Sequence, residues 1–213
     1  MSIRTLTQLI DAVNKNLAWR KREITTIKFM IEDARAHEKR FLIRAGIALL
    51  YAHWEGFVKY AASAYLEYVA FQKLPYEKLQ HSFIALAFKG QLNEATETNR
   101  ASVFTRAVTL LIADRAKCSD IPWENVIRTS NLNFNVLTDI MCMVNLDITP
   151  YSLRQNLIDE KLLARRNRIA HGEEQVADNA DYDEVHTEVL EMLDHISDQI
   201  GIAATQKAYQ VVP

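Results

Sequence analysis

Glycine and proline are scarce, with 5 and 4 in 213 residues. An all-β sandwich or barrel needs a turn roughly every 8–12 residues, so this scarcity excludes that class and points to long, rarely interrupted helices. The two cysteines, Cys118 and Cys142, form neither a metal-binding spacing nor a redox pair, which fits a reducing compartment. No Gly-rich phosphate loop, Ser nucleophile elbow or paired Cys-x-x-Cys occurs, so the commonest sequence signals for nucleotide, hydrolase and zinc chemistry are missing. No paired Glu-x-x-His occurs either, and His53, His186 and His195 assemble into no metal set, which rules out a ferritin-like di-iron bundle and leaves no metal or cofactor expected. Crossing a bilayer takes about 20 consecutive apolar residues, and the longest run, Ala45 to Trp54, is about half that; Asp11 interrupts what would be a leader's apolar core. The expectation is a cytoplasmic protein without a membrane anchor.

What is present is apolar: 49% of residues are hydrophobic. A chain of this length and composition can bury about 70% of its unfolded surface, which excludes disorder and predicts one domain. The formal charge is -2, an apparent argument against a polyanionic partner, but the sum hides an asymmetry. Ten acidic residues and no Lys or Arg lie between Glu173 and Ile200, leaving 25 basic against 17 acidic residues elsewhere, a formal +8. Such asymmetry suits an interaction surface and equally a solvated acidic helix face.

Hydrophobic spacing predicts an all-α bundle of long antiparallel helices, a single domain over 1–213 with a small helical insertion over about 76–128. Thr5-Leu6-Thr7-Gln8 is a capping box opening a first long helix, which ends in the charged stretch Glu32 to Arg40. A second covers about Phe41 to Phe71, with Gly46 and Gly56 marking close approach of a neighbouring element or of an active site. Shorter helices are expected at Gln80–Glu94, Ala101–Ala116 and Val136–Val144, and a longer one at Leu157–Ala170. The last, Asp181–Ala204, carries Tyr182, Val185, Val189, Met192 and Ile196 as a bundle seam. Residues 129–135 read as a loop leading into a helix. Trp19, Tyr51, Trp54, Phe57 and Trp123 read as core or interface aromatics.

One segment concentrates polar chemistry: Arg165-Arg166-Asn167-Arg168-Ile169-Ala170-His171-Gly172. Gly172 suits a helix C-terminus, placing His171 in the last turn, where the dipole favours the imidazolium. Asn167, four residues earlier, shares its face and is positioned to orient the ring. Arg166, five residues earlier, lies 140° around an ideal helix, within reach of the same cleft if the last turn loosens. A guanidinium that clamps phosphate oxygens and an imidazole that moves a proton suit one phosphodiester. The spacing alone also suits a His that merely caps a helix and arginines that offset the acids that follow.

Arg166-Asn167-Arg168-Ile169-Ala170-His171 resembles the Arg-polar-x-x-x-His signature of the HEPN superfamily, helical bundles that include many metal-independent ribonucleases of toxin-antitoxin and phage-defence systems. Leu49-Leu50-Tyr51-Ala52-His53-Trp54-Glu55-Gly56-Phe57-Val58-Lys59 is similar to an aromatic-Glu-Gly segment that prokaryotic HEPN-like nucleases carry on an earlier helix, and Asn131-Leu132-Asn133 is a weaker match. The resemblance spans about Leu17 to Ile200. It implies Arg166 and His171 as the catalytic pair with Asn167 in support, a homodimer that faces the two motifs across its interface, RNA as substrate, and an antitoxin or defence-system partner protein. Arg165, Arg168 and Lys161 are the expected RNA-binding cations. Glu55 either fixes Arg166 or serves as a buried structural ion-pair partner. Where toxins of this kind paired with a nucleotidyltransferase antitoxin carry a Tyr two residues after the His, this chain has Glu173, which speaks against silencing by adenylylation there. The competing classes are a non-catalytic HEPN-like module that binds nucleotide, RNA or protein, and a structural bundle with a coincidental motif.

Overall fold

The computed structural model describes residues 2–97, 100–128, 130–174 and 178–211. Helix α1 (Leu6–Asp33) starts at the capping box read from the sequence: Thr5 Oγ1 accepts from the Gln8 amide at 3.2 Å while Gln8 Oε1 accepts from the Thr5 amide at 3.1 Å. The charged stretch after it divides between two helices. Residues 34 and 35 are extended, and Glu38 Oε2 reaches back to the Arg35 amide at 3.0 Å. This cap starts α2 (Ala36–Phe71) five residues before the expected Phe41. The long helix α2 is the centre of the bundle and packs against α1 and against α8 (Asn179–Thr205), whose first turn is capped by Asp178. All five residues of the α8 seam are buried, as its 3,4 spacing requires.

Between them lie α3 (His81–Ala87), α4 (Lys89–Thr96) and α5 (Ala101–Ala113). The single helix expected over Gln80–Glu94 is two, because Phe88 leaves helical geometry (φ -99°, ψ 11°) to bury its ring beside Tyr76 at 5.1 Å. Isolated bridges, Pro75 with Cys118 and Leu79 with Gln210, tie this segment to the bundle. Helix α6 (Phe134–Met143) begins two residues earlier than read, since Asn133 Oδ1 accepts from the Val136 amide at 2.8 Å and Asp159 Oδ1 from the Phe134 amide at 2.7 Å. The expected helix over 157–170 is of two kinds, a π-helical segment Leu157–Ala164 running into α7 (Arg165–Ala170). No described residue belongs to a strand, and no helix among them is long and apolar enough to cross a membrane.

The two glycines of α2 are explained by side chains rather than by neighbouring backbone. A Cβ at Gly46 would stand 2.7 Å from Tyr182 Cε2 of α8, and one at Gly56 would stand 2.7 Å from an Arg20 guanidinium nitrogen of α1. Arg20 is buried and gives hydrogen bonds to Asn16 Oδ1 (2.8 Å) and the His53 carbonyl (3.3 Å). Gly56→Ala therefore requires this buried guanidinium to shift; an overpacking cost of about 1–3 kcal/mol is offset in part by the roughly 1 kcal/mol by which Ala is favoured over Gly within a helix, so chemical denaturation should register a net loss of about 0–2 kcal/mol. Trp19 is not in the core: it is 40% exposed, with the Arg20 guanidinium 4.6 Å from its ring.

Two histidines make the bundle acid-sensitive. Burial, helped by Arg20 at His53 and by Lys28 at His186, holds both imidazoles below the ordinary value of 6.5, against the weaker opposite pull of Glu23 and Asp183 respectively. The unfolded chain then binds protons that the folded chain refuses, so this contribution to stability is complete above about pH 6.5 and is lost as pH falls through the lowered folded-state values. Denaturation midpoints followed from neutral pH downward should fall, and His53→Asn should make the decline shallower.

Candidate active site

The motif helix is held at both ends. At its C-terminus the Gly172 amide donates to the Ile169 carbonyl at 3.1 Å and the Glu173 amide to the Arg168 carbonyl at 2.9 Å. This is the Schellman arrangement, with Gly172 at φ +78°, a conformation L side chains rarely adopt. Arg44 then donates to the Glu173 carbonyl at 3.0 Å, and Arg40 pairs with Glu174, which ties the exit of the motif to α2. At its N-terminus the π-helical segment buries Leu157 and Leu162, five residues apart, on one side, as its wider turn permits. Propensity gives no hint of this, because Leu157-Ile158-Asp159-Glu160-Lys161-Leu162-Leu163 reads equally well as α-helix.

Arg166 is fixed from four directions. Its guanidinium carbon lies 4.3 Å from the centre of the Tyr51 ring; Nη1 donates to Asn167 Oδ1 at 2.8 Å, Nη2 to the Ser130 carbonyl at 3.3 Å, and Nη2 is 3.5 Å from Glu55 Oε2. Glu55, nearly buried, also takes Lys59 Nζ at 2.5 Å. The carboxylate thus has both roles weighed for it, partner to Arg166 and member of a structural ion pair. Tyr51 is more than the core aromatic its sequence context suggested. Its ring is the platform for Arg166, its hydroxyl accepts from the Leu132 amide at 2.7 Å, and burial together with the neighbouring Glu55 pushes the phenol up to about 12. The phenol therefore stays protonated and serves as scaffold. The signal for it was the i, i+4 spacing of Tyr51 and Glu55, which sets ring and carboxylate on one face of α2.

A cleft of about 260 Å³ opens beside this cluster, lined by Ala48, Tyr51, Ala52, Glu55, Arg166 and the end of α7. His171 follows the last lining residue, Ala170, and does not line the cleft. Its side chain is exposed and makes no hydrogen bond or ion pair among the described residues. Asn167 spends its carbonyl oxygen on Arg166, so it orients the guanidinium and not the imidazole ring. One chain accordingly presents a fixed guanidinium in a cleft and a free imidazole beside it.

The other cations expected to bind RNA are differently placed. Lys161 pairs with Glu184 at 2.6 Å and Arg165 with Asp181 at 2.5 Å, both on α8. They lock the motif helix to α8 and are not open to solvent as a basic patch. Arg168, by contrast, is exposed on α7. The same pairing runs along α8: Lys28 to Asp183, Arg154 to Glu188 and Glu191, Lys21 to Asp194. The acidic helix neutralises the basic body by contact, through pairs each worth little individually at a solvated surface.

A bundle of long helices, with no strand among the described residues, that carries Arg-polar-x-x-x-His at the end of its penultimate helix fits the HEPN class. Over residues 9–209 the chain matches the HEPN_MAE_28990-like HEPN family, and it belongs to the HEPN superfamily. No curated protein and no solved structure matches it.

Proposed function

We propose that this protein is a metal-independent endoribonuclease working as a homodimer, with the two motifs brought together across the subunit interface. The observation that supports the reading is the contrast between Arg166, fixed by Tyr51, Asn167, Ser130 and Glu55, and His171, without a side-chain partner among the described residues at a helix end closed by Gly172. An arginine has five N–H donors, and these contacts leave some of them free for a phosphate. A His left without a partner beside such a cleft is suited to a proton that arrives with a substrate.

In the mechanism, the RNA 2'-oxygen attacks the adjacent phosphorus as His171 takes its proton. The five-coordinate phosphorane is stabilised by Arg166, the P–O5' bond breaks as the His171 imidazolium returns the proton to the departing 5'-oxygen, and the products are a 2',3'-cyclic phosphate and a 5'-hydroxyl end. The setting is a toxin-antitoxin or phage-defence system, with a partner protein that neutralises by covering the cleft. Glu173 stands where adenylylation would need a tyrosine.

Purified protein incubated with total RNA in EDTA should yield fragments ending in 2',3'-cyclic phosphate, and expression of the wild type should arrest growth. RNA bound but left intact would favour instead a non-catalytic module that binds nucleotide, RNA or protein, because one chain does not bring Arg166 and His171 into a single cleft.

A further inference from the structure

The residue that holds Arg166 from the loop before α6 also lines a second, larger cavity. Ser130 accepts from Arg166 through its carbonyl and also lines a cavity of about 540 Å³ closed by α6. That volume is in the range of ligand pockets. Its apolar surface comes from Ile127, Val136 and Met143, and its polar groups include Arg128, Asn131 and Asp139. Arg128 and Asp139 are both exposed, and no ion pair joins them although they line the same space. Two opposite charges facing one cavity without meeting leave room for a ligand that satisfies both.

We propose that this cavity is a nucleobase subsite selective for guanine, taking a base that neighbours the phosphate held by Arg166; this rests on the ribonuclease reading. Single-stranded RNA is read by bases splayed from the stack, laid on flat side-chain surface and hydrogen-bonded along their edges. An ionised carboxylate only accepts and a guanidinium only donates. Guanine alone among the four bases presents two adjacent donors, N1–H and N2–H, to the carboxylate of Asp139 and two acceptors, O6 and N7, to the fork of Arg128. Adenine sets its N6 donor against the guanidinium, while cytosine and uracil each offer the carboxylate a single donor nitrogen on their pairing edge instead of two adjacent ones. Ser130, which lines the cavity and accepts from Arg166, puts the subsite next to the phosphate position, within reach of an adjoining nucleotide.

The test is equilibrium binding of the four ribonucleoside 3',5'-bisphosphates to the full chain, by calorimetry, for wild type, D139N, R128Q and H171A. The wild type and H171A should bind the guanosine compound tighter than the other three by roughly tenfold or more, the discrimination expected of a bidentate base contact. D139N and R128Q, both changes at exposed positions, should level the four affinities without moving the thermal transition. Equal binding of all four bases by the wild type, or an unchanged guanine preference in both D139N and R128Q, overturns the subsite. Because binding is read without cleavage, a guanine preference in a protein that leaves RNA intact would keep the subsite and remove the ribonuclease reading.

Discussion

His171→Ala should lower RNA cleavage by about 10²–10⁴-fold, the range for losing a general acid or base, and leave the fold untouched. The ring is exposed and has no partner among the described residues, so removing it breaks no contact and should alter stability by no more than about 0.5 kcal/mol. Most substitutions at an active site disturb packing as well as chemistry; this one separates them. Cleavage rates and melting curves on the same preparation provide the check. Cleavage retained by His171→Ala would remove the imidazole from the mechanism, and loss of the folded state would make it a structural residue.

Arg166→Ala should cost about 10²–10³-fold in cleavage, comparable to removing an oxyanion-stabilising donor, and here stability should fall too. The substitution strips the cation from the Tyr51 ring, a contact worth about 0.5–2 kcal/mol, and leaves the nearly buried Glu55 with Lys59 as its remaining cation. Arg166→Lys tests what the guanidinium shape contributes. An ammonium keeps the charge, yet it cannot span Asn167 Oδ1 and the Ser130 carbonyl with a planar fork while lying flat on Tyr51. Stability should recover in part and activity should not. If the Arg166→Lys variant cleaved RNA as the wild type does, charge alone would suffice and the four-sided clamp would be dispensable.

Glu55→Gln probes the same clamp from α2. It preserves the shape beside Arg166 and removes the charge, so the positioning role predicts a smaller loss of cleavage than Arg166→Ala, together with weakened coupling in a double-mutant cycle with Arg166.

Local rules were enough for much of the fold. Thr5 with Gln8 marked the start of α1, the 3,4 spacing of Tyr182, Val185, Val189, Met192 and Ile196 marked the buried side of α8, and Gly172 marked the end of the motif helix. In each case the cause lies within a few residues: a cap, a helical period, a positive φ. Errors fell where a distant or reciprocal contact decides. Glu38 reaching back to Arg35 moved the start of α2, the burial of Phe88 against Tyr76 split α3 from α4, and the π-helical turn ahead of Arg166 left no mark in composition.

The site divides in the same way. Arg166, Asn167, His171 and Glu55 were singled out by short-range spacing and by resemblance, and they remain candidates. What each one touches was not, because Tyr51, Ser130 and Glu55 lie far from Arg166 in sequence and meet it only when α2 and the loop before α6 pack on α7.

Composition, spacing and motif were enough for a long-helix bundle, its HEPN kinship, and a charge sum near zero that concealed a basic body and an acidic helix. Where those charges go is a matter of packing. Lys161, Arg165, Arg154, Lys28 and Lys21 are neutralised against α8, while Arg166 is turned away from that helix into a cleft of its own. Charge is a property of residue type and is readable anywhere in the chain. Its availability to a partner depends on which oppositely charged groups the fold brings within 4 Å, and that is set by the packing of helices that are remote in sequence.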